Sequence, residues 1–447
     1  MSTFAARRAR LFAHMQALGG GVAVLPTASE ILRNGDSHYP FRFDSDFYYL
    51  SGFGEPDAVL VLSIGQTGPG RATLFCRPKD VEREIWDGFR YGPQQACATF
   101  GFDAAHNLDQ LDAEMPRLLA NAQNLFYNFR DPYRFLPRLQ GWLEHVRNNG
   151  RNGEWLAQQA HDAESLIGEL RLFKDAHEIS LMQKAGDISA AAHVRAMRAC
   201  RPGLHEYALE AELLYEFRKN GAQAPAYTPI VAAGANACIL HYSANNAHIN
   251  DGDIVLIDAG CEFDGYAADI TRAFPANGKF TAPQRDVYQL VLDAQLAAFE
   301  HAKVDAHYMD GHDAVVKVMS QGMLDLGLLD ANKVGGLQDV IEKKAYRKYF
   351  MHGTGHWLGL DVHDAGHYRH PHFQFDGPTR PWRTLQAGMV ITIEPGIYVR
   401  PEEGVPEAFW NIGIRIEDDV LITAQGPHNL SAAAPKQIDE IEAVMRG

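Results

Sequence analysis

DGDIVLIDAG (residues 251–260) and AGMVITIEPG (387–396) are written in one frame. Gly252 matches Gly388, Asp258 matches Glu394 and Gly260 matches Gly396, with the same internal offsets of six and eight. Each stretch reads as an apolar strand that ends in a carboxylate and then turns at a glycine. The echo predicts two halves of one domain, each offering a carboxylate from an equivalent strand across a pseudo-two-fold axis. A carboxylate inside an apolar strand is costly to bury unless it is paired or bound to a cation. Two more carboxylates sit in comparable places, Asp269 in YAADITRAF and Glu417 in IGIRIEDD. A single such Asp reads equally well as a strand-end cap or turn residue. Four together, two of them in a repeated frame, read as a cluster, and clustered carboxylates raise one another's pKa unless a cation compensates.

A second constellation is MHGTGHWLGLDVHD (351–364), which holds His352, His356 and His363. Glycines at 353, 355 and 359 make a continuous helix unfavourable, so this is not a helical HExxH zinc site. A lone histidine here would read as a hydrogen-bonded core residue. Three within twelve residues, where glycine lets backbone approach closely, point to a site. One neutral imidazole with carboxylates suits Mn(II), Co(II) or Zn(II), and four carboxylates to one histidine lean towards the harder Mn(II).

The chain has 447 residues, 46% of them apolar, which suits two or three packed domains. The formal charge of −15 argues against nucleic acid as a partner. No stretch approaches the roughly 18 uninterrupted apolar residues of a membrane helix, and the segment MSTFAARRARLF reads as an amphipathic first helix rather than a signal peptide. The five cysteines are widely spaced and form no CxxC pair, as in a reducing cytosol, and each reads as a small buried hydrophobe. GGVAVLP (20–26) and DAVLVLSIG (57–65) read as buried strands. Helical patterns cover 177–200, 205–220, 283–302 and 310–326, and a strand-rich end covers 388–423. A domain boundary is expected between two helices near Phe173–Ala176.

The set Asp258, Asp269, His356, Glu394 and Glu417 resembles the five-ligand dinuclear site of the pita-bread metallopeptidases. That family includes methionine aminopeptidase, prolidase and aminopeptidase P. ILHY (239–242), LIDAGCEFDGYAADITR (256–272), HGTGHWLGLDVHD (352–364), IEPGIY (393–398) and GIRIEDD (413–419) match it in order. DSDFYYLSGFGEPDAVLVL (44–62) and EIWDGFRYG (84–92) are similar to the bacterial aminopeptidase P group. A residue pair between His352 and His356 departs from the family pattern, while both histidines are kept.

The resemblance implies two α/β domains: a mixed-sheet N-terminal domain (1–173) and a C-terminal pita-bread domain (177–447), a curved antiparallel sheet covered by helices. It implies two Mn²⁺ per subunit, with Co²⁺ or Zn²⁺ as alternatives. Asp258 and Asp269 would hold one ion, and His356, Glu394 and Glu417 the other, with Asp269 and Glu417 bridging. A hydroxide held between the ions would cut the N-terminal Xaa-Pro bond of peptides with proline in second position. His241, His352 and His363 match histidines that bind substrate and stabilise the tetrahedral intermediate. Arg415, two residues before Glu417 in a strand, shares its face and would support the site or bind a substrate carbonyl; a plain salt bridge is the other reading. Tyr227 and Tyr398 match residues near the proline. Trp86 matches a tryptophan that reaches a neighbouring subunit's active site, so a homo-oligomer, read as a tetramer, is expected, with no membrane partner and a cytoplasmic location. Prolidase, which cuts only Xaa-Pro dipeptides with the same ligands, is the rival activity. A ligand-free binding module would lose some of the five residues, and a mononuclear iron oxygenase would leave three strand carboxylates without a purpose.

Overall fold

The computed structural model describes residues 3–370 and 379–447. The chain divides into two compact units, Met1–Arg171 and Leu172–Gly447.

In the first unit six strands form one mixed sheet, in the order Ala104–Asn107, Arg71–Cys76, Val59–Ile64, Gly21–Pro26, Asn124–Tyr127 and Gln159–Asp162. The two apolar runs read from sequence are its antiparallel centre, Gly21–Pro26 against Val59–Ile64. Strand alternation sends Val22, Val24, Val59 and Val61 to one face, where they pack with Phe75 and Leu125. The expected first helix is Thr3–Ala17. It departs from a simple amphipathic pattern, because Arg7 and Arg8 are buried. Arg8 donates to the carbonyls of Leu50 (2.9 Å) and Gly101 (2.7 Å), so its charge ties the helix to chain ends that need donors. The short helix Val81–Asp87 buries no residue at all, and its Trp86 is 84% exposed.

The second unit opens with the helix Ala176–Ala199, started by a capping box in which Asp175 accepts from the N–H groups of His177 and Glu178 while Glu178 reaches back to Asp175. Glu206–Lys219, Ala282–Phe299 and Asp310–Asp325 are the other long helices. Between and after them lie antiparallel sets: Ile230–Ala233, Ile254–Asp258 and Thr271–Pro275 in one, Val390–Ile393, Asp418–Thr423 and Gly426–Asn429 in another, with the pair Gly396–Val399 and Ile412–Arg415. The residues of IVLI (254–257) are all buried, as a continuous apolar run predicts.

The internal echo is structural. Gly252 (φ 86°) and Gly388 (φ 92°) each turn the chain in the left-handed region just before the strand, where a side chain is disfavoured. Asp258 closes Ile254–Asp258 and pairs with Thr271, two residues after Asp269. Glu394 follows Val390–Ile393, whose Ile393 pairs with Asp418, one residue after Glu417. Each half therefore delivers two carboxylates from neighbouring strands.

Candidate metal centre

Five side chains from separate parts of the second unit converge. Asp269, His356 and Glu417 offer ligand atoms that all lie within 4.8 Å of one another. His356 Nε2 stands 3.4 Å from Asp269 Oδ2 and 3.7 Å from Glu394 Oε1. Asp258 joins through Tyr227, whose hydroxyl lies 2.5 Å from Asp258 Oδ1 and 2.5 Å from Asp269 Oδ1. The segment that carries His356 runs beside Val390–Ile393 like one more strand. Thr392 N–H donates to His356 O (2.9 Å), Glu394 N–H donates to Thr354 O (2.7 Å), and Thr392 Oγ1 accepts from His356 N–H (3.1 Å).

The imidazole of His356 is oriented by its other nitrogen. Nδ1 lies 3.0 Å from the carbonyl of Trp357, which can only accept, so Nδ1 carries a proton and Nε2 is the nitrogen turned to the carboxylates, protonated in the ion-free state and able to ligate a cation once that proton leaves. Among the described residues, Arg415 is the guanidinium that reaches these carboxylates. It donates to Asp258 through Nη2, to Thr271 Oγ1 through Nε (3.0 Å) and to Tyr398 Oη through Nη1 (2.9 Å). Thr271 passes its own hydroxyl proton to Glu417 Oε2 at 2.6 Å.

These groups are uncomfortable without a cation. Burial, then the charges of Asp269, Glu394 and Asp258, push the Glu417 carboxyl well above the ordinary range. Burial raises Glu394 to about 7, against the opposing charges of His356 and Arg415. Asp258 is raised by burial, although Arg415 opposes the shift. Burial also acts upward on Asp269, but the hydrogen bond and charge of His356 outweigh it and hold Asp269 low. The reciprocal effect lifts His356 to about 9 despite its burial. Tyr227 has one hydroxyl proton for two carboxylates. Four carboxylates, Asp269 and Glu417 buried and Asp258 and Glu394 partly so, face the Arg415 guanidinium, so the donor set, oxygen-rich with one imidazole, fits divalent cations.

A second chain of hydrogen bonds leaves the cluster through Arg415. Tyr398 Oη accepts from Arg415 and lies 2.9 Å from His352 Nε2. His352 Nδ1 is 2.7 Å from the carbonyl of Gly353, so that nitrogen carries the proton and Nε2 accepts from Tyr398. Burial and the charge of Arg415 lower His352 to about 3, so it is neutral at pH 7. His363 stands edge-on to His356 with ring centroids 4.3 Å apart. Burial and the charge of His356 lower its pKa. His241 is exposed, and a positive charge on it is among the smaller causes that lower His352 and His363. Trp86 belongs to the first unit.

Tyr227 stands between Asp258 and Asp269, with its hydroxyl hydrogen-bonded to both. Thr271 and Asp418 escaped the sequence reading. Thr271 was accessible: two residues beyond Asp269, it shares that residue's strand parity.

A model of metallopeptidase family M24 matches residues 180–424, and one of the aminopeptidase P N-terminal domain matches residues 4–127. The chain belongs to metallopeptidase family M24. Within M24 it is 42% identical to the Xaa-Pro aminopeptidase of Escherichia coli (strain K12), over 99% of this chain and 97% of that one. The structure of Pseudomonas aeruginosa aminopeptidase PepP superposes with a TM-score of 0.93 at 45% identity, covering 99% of this chain and 97% of that one. A zinc-substituted E. coli aminopeptidase P in complex with product does so with a TM-score of 0.93 at 41% identity, covering 100% and 98%. The second unit is accordingly the pita-bread fold of M24, and the first is the mixed α/β domain that precedes it in aminopeptidase P.

Proposed function

We propose that this M24 chain is a metal-dependent aminopeptidase that removes the first residue of a peptide whose second residue is proline. The observation that carries it is the convergence of Asp258, Asp269, His356, Glu394 and Glu417 on one buried cluster that is short of positive charge. The relatives matched over the whole chain are Xaa-Pro aminopeptidases, so prolidase is not favoured. The five residues would hold two divalent ions, which supply a water nucleophile active at neutral pH and polarise the scissile carbonyl. Asp258 and Asp269 would serve one ion and His356, Glu394 and Glu417 the other, with Asp269 and Glu417 placed so that either ion could use them. The hard, oxygen-rich set supports Mn(II), with Co(II) or Zn(II) as substitutes.

The rest of the work falls to the chain's own groups. His363, neutral at pH 7, donates a hydrogen bond to the carbonyl oxygen of the bond being cut, where charge develops. Arg415 opposes protonation of Asp258 and fixes Tyr398. Tyr398 in turn holds His352, and the two rings form a wall for the proline. Proline has no N–H and a fixed φ, so that wall needs shape rather than an acceptor. His241 lies next to these histidines and contacts the substrate. Trp86, exposed with Val81, Ile85 and Phe89, supports an assembly, read as a tetramer, in which it reaches a neighbouring subunit's site. All five cysteines are free, which supports a reducing cytoplasm. Among the described residues no helix is long and apolar enough to cross a membrane.

The deciding experiment is kcat/KM for Xaa-Pro-Xaa peptides against Xaa-Pro dipeptides, with metal stripped by a chelator and then restored. Longer peptides should be cut at least as well as dipeptides, only with metal, and N-terminally blocked peptides poorly. Cleavage confined to dipeptides would move the chain to prolidase.

A further inference from the structure

The stretch that carries His356 and His363 is a loop, so no helical ladder fixes it. It is closed by side-chain and backbone bonds instead. Asp364 N–H donates to Trp357 O at 2.9 Å, and Asp361 N–H donates to Asp364 Oδ1 at 3.3 Å. The loop also docks on both halves of the site. Leu358 N–H donates to Val390 O at 3.1 Å, on the strand that leads to Glu394. Gly359 O accepts from Ala267 N–H at 2.8 Å, two residues before Asp269.

Behind this loop lies an ion pair that the reaction does not use. Lys174 Nζ donates to Asp364 Oδ2 at 2.9 Å, and each side chain is 1% exposed. Lys174 is itself anchored, its N–H donating to Gly388 O at 2.8 Å. The fit is tight: a Cβ on Gly359 would lie 2.2 Å from Asp364 Oδ2 and 3.0 Å from Lys174 Cε. A fully buried ammonium and carboxylate are a poor device for stability alone, because an apolar pair of equal volume serves as well or better. What the charged pair adds is direction. One oxygen of Asp364 faces Lys174 and the other takes the Asp361 N–H, so the residue that follows His363 is held in one orientation.

We propose that the Lys174–Asp364 ion pair is a positioning device for His363, fixing the Trp357–Asp364 loop so that this imidazole faces the substrate carbonyl. The proposal rests on reading His363 as a substrate-binding group. Lys174 touches neither substrate nor ions and acts through His363.

A double-mutant cycle tests it on the full-length, manganese-loaded enzyme with an Xaa-Pro-Xaa tripeptide, recording kcat, KM, metal content and Tm. Lys174→Met should lower kcat tenfold or more, with KM less affected and metal content unchanged. Replacing His363 by Ala should then cost far less in the Lys174→Met background than in the wild type. Because Lys174→Met alone strands a buried carboxylate and lowers stability, the pair Lys174→Met with Asp364→Leu, which removes both charges, is measured beside it and should keep a wild-type Tm while kcat stays low. Additive penalties, a wild-type kcat in the charge-free pair, or metal loss in step with kcat would each overturn the proposal. A fully active His363→Ala enzyme would remove the reading of His363 itself, a failure visible in that single variant, and the proposal with it.

Discussion

An ion entering the cluster must displace protons, and their number can be worked out. Without an ion, His356 titrates at about 9, so at pH 7 it is nearly all imidazolium. Glu394, at about 7, is half protonated. Both must lose protons to act as ligands, so loading should release about one and a half protons per site at pH 7 from these two groups, and the upward shift of the Glu417 carboxyl can only add to that. Lifting His356 from 6.5 to about 9 makes its deprotonation alone cost on the order of 3 kcal/mol. Apparent affinity should therefore climb steeply with pH, by a factor of roughly 50 between pH 6 and 7 from His356 and Glu394 together. Titration calorimetry with Mn(II) in buffers of different ionisation enthalpy counts the protons directly. Glu394→Gln should lower the count at pH 7 by about half a proton. A heat independent of buffer, or an affinity flat between pH 6 and 7, would refute the reasoning, because the ions would then not be displacing protons from these groups.

Stability of the metal-free protein should carry the same signature. The folded-state pKa of Glu394 is raised to about 7, so its stabilising contribution is complete below about 4.5 and is lost as pH rises through 7, an effect on the order of 3 kcal/mol. Wild-type Tm should fall relative to Glu394→Gln over that window, measured by calorimetry after chelation; a rise would show the sign to be wrong. His363→Ala should lower kcat by roughly 100-fold with both ions retained; loss of metal, measured by elemental analysis, would make His363 a ligand. Trp86→Ala should raise KM for an Xaa-Pro-Xaa peptide, and light scattering should find an oligomer; a fully active monomer would rule the shared site out.

The carboxylate-bearing strands were legible in the sequence because two independent rules agreed there. An apolar run defines a buried strand, and a charge at its end is expensive, so Asp258 and Glu394 announced themselves. The turn glycines at 252 and 388 repeated the frame. What lay outside that logic was pairing across the chain. Nothing in local pattern tells that Thr271 relays Arg415 to Glu417, or that Lys174 meets Asp364 across 190 positions. Arg7 and Arg8 misled for a related reason: arginine reads as a surface residue until backbone carbonyls, supplied by distant segments, are known to receive it.

The pair Glu417 and Asp418 separates a charge this protein neutralises itself from one it leaves for an ion. Asp418 is entirely buried, yet Arg272 and Lys436 both reach it, at 2.6 Å each, and hold its carboxyl far below the usual range. Arg272 also donates to the carbonyl of Thr271 at 2.9 Å and of Pro435 at 3.1 Å, so this compensated charge is welded to the strands around it. Glu417, one residue earlier and just before that strand begins, has no lysine partner among the described residues and shares the Arg415 guanidinium with three other carboxylates. Neighbours in sequence thus shift in opposite directions. A fold that needed only stability would have given Glu417 a cation as it gave Asp418 two. It packs protein cations against Asp418 instead and leaves Glu417 short of positive charge. That asymmetry makes a tight site for divalent ions, because the repulsion an ion relieves is already built in and the backbone that holds the ligands cannot relax to remove it.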